Sequence, residues 1–153
     1  MTGRLWVEGR FPSFNAGLAL RGEEAVFLAQ SRRGRELRAG FAALARAAGA
    51  AARCAAMRAC IPAVPPGCLA CVWTYLAGHE RCDPDAWMLA GKWCLDGLAD
   101  AGVLRSDRRD VYATGGRVFG TVEEARAFFD ARDTVRPWCG RPGALVEIAW
   151  GRA

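Results

Sequence analysis

"GCLACVWTYLAGHERCDPDAWMLAGKWCLDGLADAG", residues 67–102, places two periodicities side by side. Its first part, "CLACVWTYLA" at 68–77, is apolar and aromatic and reads as a strand. Gly78 turns the chain. From Asp83 the apolar spacing becomes helical and runs to Ala101. Asp83 is the expected N-cap, with Pro84 at the first helical position, where its missing N–H is harmless. Gly102 is the expected C-terminal stop. A strand feeding a helix in this way predicts a layered α/β or α+β domain.

The flanks extend that pattern. "RLWVEGRF" at 4–11 alternates as a strand, and "PSFN" breaks it at Pro12. Residues 24–52 are rich in Ala, Leu and Arg at helical spacing, interrupted by Gly34 and Gly40, so one imperfect helix or two are expected. The proline-rich "IPAVPPG" separates this segment from the strand at 68. A short strand is expected near 110–113. "TVEE" at 121–124 is a capping box that opens a helix over "TVEEARAFFDAR". "GALVEIAW" reads as the last strand. The expected order is β-α-β-α-β-α-β, one domain over 1–153 with a small mixed sheet packed against helices.

Apolar residues make up 52% and charged residues 24%, ordinary values for a globular domain. No apolar run approaches the roughly 20 residues that a membrane span requires. The start "MTGRLWVEGRF" lacks the layout of a secretory signal, so a cytoplasmic location is expected. The net charge of +5 allows a polyanionic partner. Lys92 is the single lysine; every other basic side chain is arginine. A lone compact ammonium suggests a site where a planar guanidinium does not serve. The arginines Arg32, Arg33, Arg35 and Arg38 share a basic stretch that faces either solvent or phosphate.

Seven cysteines, an odd number in mostly apolar contexts, favour reduced thiols over a disulfide framework. Cys68, Cys71, His79 and Cys82 have a zinc-like spacing, which keeps a zinc-bearing interaction domain as a remote alternative. Strand alternation argues against it, because Cys68 and Cys71 then point to opposite sides of a sheet.

The helix at 83–101 carries an unusual polar stripe. At 100° per residue, Asp85, Lys92 and Asp96 fall within about 40° of one another. Asp83 and Asp85 stand at its N-terminal end, where the helix dipole favours carboxylates, and Asp107 follows after a short turn. Carboxylates converging on one point suit a hard cation such as Mg²⁺ or Mn²⁺. The plain structural alternative is a capping Asp and a surface Lys92–Asp96 ion pair. Gly91 and Gly97, inside the helix, point to close backbone approach by a neighbour, with the sheet as the first expectation.

These residues resemble the motif of the RusA-type Holliday-junction resolvases. "DPDA" at 83–86 is similar to that family's Asp-x-Asp-Asn run, Lys92 to its lysine, and "DGLADAGVLRSD" at 96–107 to its Asp-x-Leu-x-x-Ala-Gly run ending in Asp-Asp. "PSFN" at 12–15 looks like its Pro-Ser-x-Asn loop. The strong resemblance covers about residues 81–111. It implies a RusA-like fold and a homodimeric, Mg²⁺-dependent endonuclease that nicks four-way DNA junctions symmetrically. It implies Asp83, Asp85 and Asp107 as metal ligands and, with Lys92, as catalytic residues. Lys92 would meet the scissile phosphate, with Asp96 in support. Asn15, Arg81 and Arg105, together with the basic Arg32 and Arg33, would hold DNA. Two positions depart from the pattern: Ala86 replaces the usual Asn, and Ser106 replaces the first Asp of the closing pair. The alternative function is therefore a catalytically weak or inactive junction-binding protein on the same scaffold.

Overall fold

A computed structural model describes residues 1–11, 32–79, 83–106, 109–132 and 140–152, without the side chains of residues 33 and 34. Within them the chain forms β1 (Thr2–Glu8), α1 (Arg32–Arg58), β2 (Cys68–Ala77), α2 (Trp87–Asp100), β3 (Val111–Val118), α3 (Val122–Asp130) and β4 (Gly143–Arg152). The strands make one mixed four-stranded sheet in the order β1-β4-β2-β3. β4 is antiparallel to both β1 and β2, and β2 is parallel to β3. The described residues thus form a mixed α+β fold with three helices. None of these helices is long and apolar enough to cross a membrane.

The two faces of the sheet differ. Ala70, Val72 and Leu76 of β2, Val146 and Ile148 of β4, and Leu5 and Val7 of β1 are buried together. α1 and α2 cover this face. α3 covers one end of the opposite face, where Phe119, Ala125, Phe129 and Leu145 form a smaller core with Trp6, Tyr75 and Phe128 packed against it.

Glycines 34 and 40 do not interrupt α1, which runs unbroken to Arg58, six residues past the expected end. Alanine explains that persistence, since it is the best helix former. Its C-terminal half packs with α2 through Ala48, Ala52, Ala55 and Ala56, side chains small enough to let the two backbones approach closely. β1 begins and ends earlier than "RLWVEGRF" suggested, stopping before Gly9, whose φ of 137° an L residue rarely adopts.

β3 is twice as long as expected, with Gly115 and Gly116 at its centre. Glycine usually weakens a strand. Here each makes room for an indole: the Trp73 ring covers Gly115 on one face, and the Trp87 ring covers Gly116 on the other.

Two helix ends follow the sequence. Gly102 is left-handed (φ 74°), its N–H bonds Ala99 O (2.9 Å), and Val103 N–H bonds Leu98 O (3.0 Å). This is a Schellman stop, completed by the buried pair Leu98 and Val103. Thr121 Oγ1 accepts the Glu124 N–H at 3.1 Å, as a capping residue should, while the Glu124 carboxylate accepts the N–H of Gly120 at 3.2 Å.

The start of α2 corrects the sequence expectation. Asp83 is not its N-cap and Pro84 is not its first residue. The N-cap is Ala86, which has no capping side chain. Asp83 opens a β-turn instead, with the Ala86 N–H bonded to Asp83 O at 3.0 Å. Asp followed by Pro suits the first two positions of such a turn as well as it suits a helix start, and here the turn prevails.

Candidate functional site

β2, α2 and β3 form a βαβ unit, so α2 returns across the sheet above the two parallel strands. The turn 83–86 therefore leads into the N-terminal end of α2, where carboxylates are favoured. Asp83 and Asp85 both lie exposed on it. The Met88 N–H bonds Asp85 O at 2.9 Å, which gives the turn a helical sense and places Asp85 one turn ahead of Met88.

Two turns further on, Lys92 is ion-paired with Asp96, both side chains being about half exposed (53% and 46%). Lys92 stands at a cavity of about 210 Å³ between α2 and the β2–β3 pair. Val72, Trp87 and Leu95 give that cavity apolar walls, Thr74 and Thr114 add hydroxyls, and among the described residues Lys92 is the only ionisable side chain lining it. Gly91 faces the sheet here, where a Cβ would stand at an ordinary contact distance, 3.4 Å, from Thr74 Oγ1. Gly97 differs from the expectation: its neighbour is α1 and not the sheet. Cys94, on the buried side of the same helix, has its thiol pushed up to about 12 by burial, which favours the protonated form.

The other expected residues are distributed unevenly. Asp107, Asn15 and Arg81 lie outside the described residues, as does the side chain of Arg33. Arg32 is highly exposed at the start of α1 and pairs with Glu36 at 3.0 Å, so part of its charge is already answered. Among the described residues, no group of three or more His, Cys, Asp or Glu side chains gathers where a metal ion would sit. Cys68 packs toward the α1–α2 core, whereas Cys71 shares the face of Trp73, as strand alternation requires. His79 is buried and bonded through both ring nitrogens: Nε2 accepts the Phe11 N–H at 3.0 Å, and Nδ1 donates to Ala77 O at 2.8 Å. Those partners fix the tautomer with its proton on Nδ1 and make His79 a brace between β1 and β2.

The residue that sequence reasoning missed is Asp110. Its carboxylate is buried and accepts the N–H of Arg105 (2.6 Å), the N–H of Ser106 (3.2 Å) and the Arg105 guanidinium (2.6 Å). Its own carbonyl accepts the Ala70 N–H at 2.7 Å, which ties the loop to β2. Arg105, expected on DNA, is thereby held by Asp110, while a recess of about 490 Å³ opens between Arg105, Ser106 and Arg109. The signal lay in the spacing of "RSDRRD": a carboxylate four and five residues after two N–H groups that no helix or strand satisfies.

Burial acts to raise the Asp110 pKa, but the Arg105 side chain, the two backbone N–H groups and the Arg105 charge outweigh it and hold the carboxyl below its ordinary value. A depressed folded value means stabilisation that is complete above the ordinary Asp value of about 4 and is lost as pH falls through the folded one. Asp110→Asn is accordingly expected to lower the urea midpoint at pH 7 and to differ less from the parent at pH 3. Equal differences at the two pH values would contradict this account.

Comparison of the chain with protein-family models finds no match, and comparison with curated proteins and with solved structures finds none either.

Proposed function

We propose that this chain is a divalent-cation-dependent endodeoxyribonuclease that acts on branched DNA as a homodimer. One observation carries the reading. The only lysine of the chain lines a cavity, beside Asp96, on the helix whose leading turn presents Asp83 and Asp85. The described donors suit Mg²⁺ or Mn²⁺, because two exposed carboxylates with water completing the shell are what a small hard cation takes. Asp83 and Asp85 would hold the ion, with Asp107 as the third ligand that the sequence motif implies. When bound, the cation polarises phosphate and lowers the pKa of water.

The chain's own part is electrostatic. Lys92 offers a compact positive charge to a non-bridging phosphate oxygen as negative charge builds there. Asp96, one turn on, holds the lysine side chain in position. Asp110 holds Arg105 through its N–H and guanidinium, so that this guanidinium would meet the DNA backbone from a fixed position. A two-fold dimer would present two equal sites to a two-fold junction.

The second reading, a junction binder that does not cut, is favoured by Ala86 and Ser106. Ala86 has only a methyl side chain, and a buried one, so it adds no polar ligand to the turn. A synthetic four-way junction incubated with and without Mg²⁺ separates the two. Paired symmetric nicks that require Mg²⁺ and disappear in Asp85→Asn are expected. Salt-sensitive binding with no nicks under any metal would instead establish the second reading.

A further inference from the structure

The sheet face turned away from Lys92 carries a second feature. Direct pairing sets Arg4, Glu147, Trp73 and Gly115 in one row across all four strands. Trp73 is 46% exposed although it sits on a central strand. The benzo ring of its indole covers Gly115, filling the space that a side chain would take. One side of the ring rests on β3, and nearly half of the residue remains exposed. The row beyond it holds only small side chains, Thr2, Ala149, Cys71 and Ala113, so nothing there stands as high as the indole.

The opposite border is cationic. Arg132 lies over the Phe128 ring at 3.6 Å and beside Tyr75, and with Arg4 it answers Glu147. Arg117 is paired with Glu124 and lies over Phe119. Three guanidiniums therefore meet two carboxylates around one exposed aromatic plane. Burial, and next the Glu147 charge, raise the Tyr75 pKa, so the phenol beside them remains neutral.

We infer that this face binds single-stranded nucleic acid, with an unpaired base stacked on Trp73 and its phosphates toward Arg4, Arg117 and Arg132. Stacking on an aromatic ring accepts any base, and arginine supplies the backbone contact. A second protein copy fits less well. A stable dimer needs about 800 Å² per partner around an apolar centre, whereas among the described residues this surface offers one large exposed apolar side chain, Trp73, amid small and charged ones. The inference does not depend on nuclease activity, because the Lys92 cavity opens on the other face of the sheet.

The test uses the full chain in EDTA and a fluorescent 12-nucleotide oligodeoxythymidine, read by anisotropy. Trp73→Ala is expected to weaken binding by at least about fivefold, Trp73→Phe to keep most of it, and Arg4→Ala to lower the salt slope. An abasic oligonucleotide of equal length is expected to bind the parent as weakly as the normal one binds Trp73→Ala. Circular dichroism melts confirm that each variant is folded. The inference fails if the oligonucleotide does not bind, or if Trp73→Ala or the abasic strand binds as the parent complex does. It fails equally if sedimentation shows Trp73→Ala turning a dimer into monomers while oligonucleotide binding is unchanged. Oligonucleotide binding without junction nicking would overturn only the proposed nuclease, and nicking without it only this inference.

Discussion

Gly97→Val is expected to destabilise the fold by at least about 3 kcal/mol, read as the loss of urea midpoint at unchanged slope. The reason is where α1 and α2 touch. A Cβ at position 97 would stand 2.5 Å from Gly49 O, 2.6 Å from Ala52 Cβ and 2.8 Å from Arg53 N. These neighbours are backbone atoms and a Cβ, so no rotamer change relieves the overlap. The helices would have to separate, and the alanine-lined seam between them would lose its fit. Gly91→Ala is the internal comparison. Its Cβ would stand 3.4 Å from the Thr74 hydroxyl, an ordinary contact, and alanine gains roughly 1 kcal/mol of helix propensity. That variant should be neutral or more stable. Equal losses at both positions would show that glycine serves α2 in some way other than close approach to α1.

Lys92→Ala is expected to slow junction nicking by about 10²–10³-fold, the effect of removing one preorganised charge from a transition state. Junction affinity should change by less than about threefold, since one half-exposed ammonium is a small part of a DNA contact surface. Lys92→Arg should restore affinity without restoring rate, because a planar guanidinium is longer and shaped for paired contacts. Single-turnover cleavage with separate equilibrium binding distinguishes these quantities. Equal losses in rate and affinity would mean that Lys92 is simply a DNA-binding charge and that its place at the cavity is incidental.

Much of the fold was readable because the decisive signals are local. The apolar and aromatic run located β2 to the residue, Thr121 and Glu124 located the start of α3, and Gly102 located the end of α2. What stayed hidden depended on distant partners. The two glycines of β3 look like strand breakers until Trp73 and Trp87 are seen lying over them. Asp110 looks like one more loop acid until its carboxylate is found closing the turn at Arg105 and Ser106. The Asp-Pro pair at 83–84 satisfies two local rules, and only the fold chose the turn. At the site, the Lys92–Asp96 pair followed from helical spacing alone. The cavity beside it did not, because β2 and β3 supply half of its walls.

The strand that comes last in sequence order, β4, is flanked by β1 and β2 in the sheet. Among the described residues β1 pairs only with β4, so during synthesis it waits until residues 143–152 have left the ribosome, and the β2–α2–β3 unit waits with one edge of β2 bare. That edge is the row of backbone N–H and C=O groups along Cys68–Ala77 that pairs with β4 in the finished sheet. A nascent chain paused before residue 143 therefore presents a sticky, half-built sheet, the kind of surface that chaperones bind and that aggregates when they are scarce.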